Sequence, residues 1–402
     1  MFAIKRQLKL NNVETSQMRG NAGFKRFTYN FALELLTESW KFEGIKLSDN
    51  KRLDAIKKIF TSMMDEPSYQ WMKKYPSTVY QSAFRDLKSA ISRWRSGLSG
   101  FPKKKSKKKG DSFTVYKTSG IYPAKGEPAI PFTNRVVINR GKKIKLPGLK
   151  EYRLFESIPF TCSSQTFTVS RTADKWFVSF ALDAEKLPPI IHPIQKIGLD
   201  LGVRCLGTCS DGSIYEMPST TKKAKTKLLL LQWRNRNKIL GSRKLGIKAS
   251  KNAQKYYTQL ARRSAKIANT RRDTTQKMTT DLSRGAYIIR IEDLNVRGML
   301  SNHKLSSAVS NNCFYEIRRQ LIYKQSHYGT KVELVDRWYP SSKTCARCGH
   351  IQPMKLSERI FSCSNPVCSY VEDRDLNAAL NLLNAPPDKI RPARPEFTLV
   401  DK

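Results

Sequence analysis

The first dozen residues alternate apolar and basic positions, with Phe2, Ile4, Leu8 and Leu10 set among lysines and an arginine, the period-two pattern of a strand. Near Thr15 the spacing lengthens to three and four. Phe24, Phe27, Phe31 and Leu35 form one stripe, and Val79, Phe84, Leu87 and Ile91 form another. Both predict helices packed on a shared apolar core as far as about Gly97. Tyr75-Pro76-Ser77 marks a helix start: proline keeps the residue before it extended, and Ser77 is placed to cap. From Ser112 to about Leu187, short apolar runs at 112–116, 135–138 and 176–182 are punctuated by Pro and Gly. They predict hairpin strands which, with the N-terminal strand, make a small barrel.

The pattern changes again at Lys196. Residues 197–203, Ile-Gly-Leu-Asp-Leu-Gly-Val, predict a buried strand, and Asp211-Gly212 a hairpin turn. Long helices are expected over much of 221–280, then strands at 287–291 and 331–335. A last helix begins near Asp375, with Leu376, Ala379, Leu380 and Leu383 on one face. Beyond Ala385, Pro386, Pro387, Pro392 and Pro395 predict a tail without fixed structure.

Charge narrows the function. The 402 residues carry 74 Lys+Arg against 33 Asp+Glu, a net charge of +41, yet 39% are apolar. That is enough to build cores, and the excess of one sign calls for a polyanionic partner. Six of the seven residues 103–109 are lysine, and 221–280 holds 18 cations against one acid, Asp273. The start of the chain lacks an apolar signal core, and no apolar run approaches about 18 residues, so neither standard secretion nor a membrane span is expected. Eight cysteines are too few for a disulfide scaffold. The chain reads as intracellular and nucleic-acid-bound.

Four of those cysteines have a pattern. Cys345-x2-Cys348 and Cys363-x4-Cys368 are separated by fourteen residues, and two such thiol pairs suit a closed, structural, tetrahedral zinc site. Cys162, Cys205, Cys209 and Cys313 are scattered and read as small buried hydrophobes. Acids are scarce, so those at the ends of apolar strands stand out. Asp200 lies inside a strand too apolar to bury an unpaired carboxylate cheaply, Glu292 ends 288–292, and Asp375 opens the last helix. Three such carboxylates can hold one or two Mg²⁺ ions for phosphodiester hydrolysis. His192, His303, His327 and His350 offer no rival mechanism, because none accompanies a plausible nucleophile.

Ile197-Gly-Leu-Asp-Leu-Gly, Ile291-Glu-Asp-Leu-Asn-Val-Arg-Gly-Met299, Ser342-Lys-Thr-Cys-Ala-Arg-Cys-Gly349 and Asp373-Arg-Asp-Leu-Asn-Ala-Ala379 occur in that order. Together they resemble TnpB, the transposon-encoded RNA-guided DNA nucleases related to miniature type V CRISPR effectors. Residues 266–273 and 101–109 add to the resemblance, which runs to about Ala385. One departure is the four-residue gap in Cys363-Ser-Asn-Pro-Val-Cys368, where two residues are commoner.

The resemblance implies a multidomain α+β protein. A wedge β-barrel would take residues 1–14 and 111–195, and a helical recognition domain 15–110. An RNase H-like (RuvC-type) nuclease domain would take 196–340 and 369–385, with a zinc ribbon inserted at 341–368 and a tail at 386–402. Asp200, Glu292 and Asp375 would be the catalytic, Mg²⁺-binding triad, with two ions, and Cys345, Cys348, Cys363 and Cys368 the zinc ligands. The implied partners are a guide RNA and double-stranded target DNA next to a short flanking motif, with one protein on one RNA in the prokaryotic cytoplasm, at the nucleoid. Thr78 and Gln81, on the exposed side of their helix, are candidates for reading that motif. Lys103, Lys104, Lys105, Lys107, Arg271 and Arg272 are candidates for nucleic-acid contact. Tyr256 and Tyr257 suit core packing better than base stacking. The competing readings are a guided repressor that does not cut, against which the intact triad argues, and a DNA transposase.

Overall fold

A computed structural model describes residues 2–41, 47–107, 110–117, 136–182, 191–241, 246–302, 306–355 and 357–394. Lys108, Lys109, Arg135, His303 and the tail from 395 onward lie outside them. The chain divides into two units, Met1–Glu185 and Lys186–Lys402.

In the first unit β1 (Phe2–Lys9) leads into helices α1 (Asn12–Ser39), α2 (Asp49–Met63) and, after a 3₁₀ segment (Pro67–Lys74), α3 (Ser77–Arg95). Strands β2 (Ser112–Tyr116), β3 (Val136–Ile138), β4 (Gly141–Lys145), β5 (Glu151–Ile158), β6 (Cys162–Ser164), β7 (Thr166–Thr172) and β8 (Lys175–Leu182) follow. A reciprocal capping box starts α1: the Asn11 side chain accepts from the Glu14 N–H, and Glu14 accepts from the Asn11 N–H. The start of α3 falls where Pro76 predicts, but Pro76 itself occupies the cap and Ser77 is the first helical residue.

The strands form an antiparallel sheet in the order β2-β7-β8-β1-β5-β4, with β3 and β6 paired separately. The N-terminal strand sits between β8 and β5, as its alternation requires. Among the described residues the strands expected as a barrel form a six-stranded sheet, with β2 and β4 at its edges. One apolar core joins Met18, Leu33 and Phe84 of the helices to Phe113, Val169 and Val178 of the sheet. The segments expected as wedge and recognition domains therefore share a core.

The second unit holds β9 (Ile194–Asp200), β10 (Gly207–Cys209), β11 (Ile214–Tyr215), α4 (Ser219–Arg234), α5 (Lys251–Gly285), β12 (Ala286–Glu292), α6 (Val296–Ser301), α7 (Ser306–Asn311), α8 (Phe314–Tyr328) and β13 (Lys331–Val335). A hairpin of β14 (Ile360–Ser362) and β15 (Val371–Asp373) runs directly into α9 (Arg374–Leu383), and β16 (Ile390–Pro392) follows. The sheet order is β11-β10-β9-β12-β13-β16. β12 runs parallel to both β9 and β13, while β10, β11 and β16 are antiparallel additions at the flanks. Within the tail expected to be unstructured at 386–402, β16 corrects that expectation for Ile390–Pro392. Three residues add to the edge of β13, where Pro392, lacking an N–H, is tolerated.

Alternation along these strands fixes the layers. Ile197 and Leu199 of β9 and Ile289 and Ile291 of β12 share a core with Met278 and Leu282 of α5 and Ile317 and Leu321 of α8. The intervening residues face the other way, toward α9. There the Arg290 guanidinium donates to the Leu383 and Ala385 carbonyls, and a side chain on Gly198 would meet the α9 backbone. No helix among the described residues is long and apolar enough to cross a membrane.

Candidate active site and metal centre

Register and alternation bring the first two acids together. Arg290 pairs with Gly198 and Ile291 with Leu199 across the parallel ladder, so Glu292 and Asp200 are neighbours at the carboxyl ends of adjacent strands. Both share the even parity of Gly198 and Arg290, and so both face α9. Asp375 stands in the first turn of that helix. The α9 backbone at Ala379 and Leu383 lies against Gly198. Two residues up the strand is about 6.7 Å, and one turn back along the helix about 6 Å, which sets Asp375 level with Asp200.

Electrostatics agree with that placement. Desolvation first, then the negative charges of Asp375 and Glu292, push the Asp200 carboxyl from the usual 3.8 up to about 7. Burial, with a smaller contribution from Asp293, raises Glu292 from 4.5 to about 7. Both carboxyls are held up chiefly by burial, and Asp200 also by the acids beside it. Asp375 is partnered by the Arg374 guanidinium at 2.9 Å and by Arg359 at 3.8 Å. These are hard oxygen donors on rigid elements, a set that fits divalent Mg²⁺ chemistry. Asp373 has a different task. Its carboxylate accepts from the Asp375 and Leu376 N–H groups and so caps α9.

The four cysteines also converge. Their sulfurs all lie within 4.8 Å of one another, with Cys345–Cys368 at 3.8 Å and Cys348–Cys363 at 3.6 Å. A disulfide needs about 2.05 Å, whereas a tetrahedral ion with sulfur ligands at about 2.3 Å has S···S edges of about 3.8 Å. The group can hold a metal ion. Gly349, at φ +75°, permits the first turn, where its N–H donates to the Cys345 carbonyl. In the second turn the Cys368 N–H donates to the Asn365 carbonyl, so the longer gap still closes. Of the other cysteines, Cys205 and Cys209 are buried as expected, and Cys162 and Cys313 only partly.

The cluster is moored to the helix that carries Asp375. Buried Asn377 donates to the Thr344 carbonyl and accepts from the Ala346 N–H, and buried Asn381 donates to the Ser341 and Thr344 carbonyls. Sequence reading missed both asparagines, although Asn377 lies inside the quoted Leu-Asn-Ala-Ala run.

The nucleic-acid candidates fare unevenly. Thr78 is 6% exposed, which corrects its placement on an open face. α3 is covered by α1, α2 and β2, so its buried arc is wider than the apolar stripe. The Gln81 amide oxygen accepts from the Tyr116 hydroxyl at 2.6 Å. Lys103, Lys104 and Lys105 join Lys25 and Arg26 around a cavity of about 300 Å³, and Lys107 is exposed nearby in sequence. Lys25 and Arg26 were not anticipated, because an isolated Lys-Arg pair inside a helix carries no sequence signal. The lysine run is anchored rather than loose: Lys105 pairs with Asp86, Lys104 with Glu34, and Asn30 brackets the Lys105 backbone. Arg271 and Arg272 lie on α5 in the second unit, Arg272 exposed and Arg271 partly covered. Tyr256 is buried against Tyr257, whose hydroxyl donates to the Lys238 carbonyl, as core packing requires.

Comparison with known proteins places these features in context. Residues 179–303 match the family described as "Probable transposase", and 314–382 match the "Cas12f1-like, TNB domain". A protein of Streptomyces pristinaespiralis named "Putative RNA-guided DNA endonuclease" is 30% identical over 95% of this chain and 90% of its own length. InsQ of Escherichia coli (strain K12), with the same description, is 30% identical over 95% of this chain and 92% of its own. A solved Cas12f1–sgRNA–target DNA complex shares the fold at a TM-score of 0.58 and 16% identity, covering 95% of this chain and 84% of that one.

Proposed function

The chain belongs to the TnpB family of RNA-guided DNA endonucleases, and from that membership we propose that it hydrolyses target DNA, directed by a guide RNA, at Asp200, Glu292 and Asp375. One observation carries the assignment of the site: Asp200 and Glu292 end paired parallel strands, Asp375 stands on the facing helix, and Glu292 and Asp375 both raise the cost of ionising Asp200. On this reading the second unit contains an RNase H-like (RuvC-type) nuclease domain, and the cysteine module is a zinc ribbon whose Zn²⁺ is structural.

Asp200, Glu292 and Asp375 would hold two Mg²⁺ ions. When bound, Mg²⁺ supplies Lewis-acid polarisation of the scissile phosphate and activation of the nucleophile. The protein's own part is positional. The β9–β12 ladder fixes Asp200 against Glu292, Asp373 caps the helix that presents Asp375, and Asn377 and Asn381 tie that helix to the cysteine module. Arg374 and Arg359 compensate Asp375 and lie where strand charge would gather. Base pairing with the guide supplies sequence specificity, and cationic surface grips the backbone. The cavity lined by Lys25, Arg26 and Lys103–Lys105 fits a backbone phosphate, and Arg272 with the α4–α5 cations extends the grip within the second unit. The protein reads a short motif beside the target, one protein acting on one guide.

The test is reconstitution. RNA that copurifies with the protein is sequenced, and protein with that RNA is offered a matched target with Mg²⁺ or with EDTA. Guided cleavage with Mg²⁺ alone is expected, and its loss in Asp200→Ala. RNA-free protein that cuts unguided would overturn the reading, and so would guided binding without any cut, which would favour the repressor.

A further inference from the structure

Beside Glu292, and turned to the opposite face of the sheet, lies a second charged centre that the triad does not use. Asp293 is 5% exposed. Three guanidiniums converge on it from three elements. Arg318 of α8 donates to Oδ1 at 2.6 Å; Arg337, from the segment after β13, donates to Oδ2 at 3.2 Å; Arg391 of β16 also donates to Oδ2. The Asp293 N–H donates to the Val335 carbonyl at 2.9 Å, so the group sits at the carboxyl-terminal edge where β12 and β13 end. Arg391 pairs in register with Leu334, which faces the α5–α8 core, and so points to the Asp293 side.

A single carboxylate is satisfied by one cation. Here three cations meet one anion, leaving +2, with two of the guanidiniums on the same oxygen, where like charges repel. Structure alone needs no such excess. The arrangement becomes favourable when a further anion is present. The two guanidiniums that share Oδ2 are also the open ones: the side chains are 41% exposed for Arg337 and 62% for Arg391, against 23% for Arg318. A guanidinium has five donors in a rigid fork that matches phosphate, and each of these two directs one of them to Asp293.

We infer that Arg337 and Arg391, oriented by Asp293, form a clamp for one phosphodiester of the target DNA strand beside the carboxylate site. The clamp rests on the nuclease reading above. It holds the strand that is cut at Asp200, Glu292 and Asp375, gripping it at the edge where β12 and β13 end, and it adds no chemical step.

The experiment uses the full guide-loaded protein on matched targets in which single linkages near the cut are replaced, one at a time, by uncharged methylphosphonate. The native protein should cut about tenfold more slowly when one particular linkage is neutral. Arg337→Ala/Arg391→Ala should cut the all-phosphate target about tenfold more slowly and be indifferent at that same linkage. Arg337→Lys/Arg391→Lys should regain part of the rate. If the alanine pair fails to fold, Arg337→Gln/Arg391→Gln carries the test, since glutamine can still donate to Asp293 without charge. Equal sensitivity of native and variant at every linkage overturns the clamp. So does loss of guide RNA from the variant, which would place RNA there. A native protein that never cuts overturns the nuclease reading instead.

Discussion

Gly198 and Ala379 approach so closely that a methyl group on Gly198 would stand 2.1 Å from the Ala379 carbonyl oxygen. The obstacle is helix backbone, which cannot swing aside as a side chain could. Gly198→Ala should therefore push α9 off β9 and part Asp375 from Asp200. Overpacking of this kind costs about 1–3 kcal/mol. Thermal unfolding should show a Tm lower by roughly 2–12 °C, and guided cleavage should fall further than that loss of stability explains. A variant with native Tm and native rate would mean that the contact does not set the site.

Asp373 and Asp375 should separate cleanly in a cleavage assay. Asp375→Ala, like Asp200→Ala and Glu292→Ala, should leave no cutting at any Mg²⁺ concentration while guide and target binding survive. Asp373→Ala removes a cap worth about 1 kcal/mol and should retain measurable cutting. The reverse order would move the third ligand to Asp373.

Without divalent metal, both raised carboxyls make stability fall with pH. Below about pH 4 Asp200 and Glu292 are protonated in both states and the native state is most favoured; between about pH 4 and 7 the unfolded chain ionises while the fold keeps the protons, and that stability is lost as pH rises through about 7. A divalent ion binds the ionised forms, so the rise in Tm on adding Mg²⁺ should be larger at pH 8 than at pH 5.5. Asp200→Asn should flatten the difference. Equal Mg²⁺ stabilisation at both pH values would count against ion binding at these acids.

Cys363→Ser should lower bound zinc from about one equivalent, measured by elemental analysis, and loosen the ribbon, because metal binding and folding are linked. Since Asn377 and Asn381 join that module to α9, cleavage should drop as well, with hydrogen exchange rising at the start of α9. Native protein without zinc would remove the metal from the account.

The three acids of the candidate site could be picked out because they stand at the ends of apolar patterns. Asp200 and Glu292 close apolar runs and Asp375 opens a helical one, so the local pattern locates each acid, and only pairing register had to be supplied by the fold. Thr78 was misplaced for a related reason. Periodicity gives the direction of a helix face but not the width of the buried arc, and α1, α2 and β2 together cover more of α3 than its apolar stripe indicates. Asp293 was invisible as a hub. Its arginines are 25, 44 and 98 residues away, and the farthest belongs to a proline-rich stretch with no strand signal. Ladder pairing to β13, not propensity, orders Ile390–Pro392.

The chain positions 200, 292 and 375 also set a clock. On the proposed reading none of these acids is useful without the others, and the last is encoded 175 residues after the first. At roughly 5–20 residues per second of synthesis, about 10–35 s pass between them. Within that interval α4 and α5, with their cations, are made well before Asp375, so the growing chain can collect nucleic acid before the proposed site is complete. On the proposed reading a product truncated before Asp375 would bind nucleic acid without cutting it, so harm to the host's own DNA is deferred until the third acid has been made.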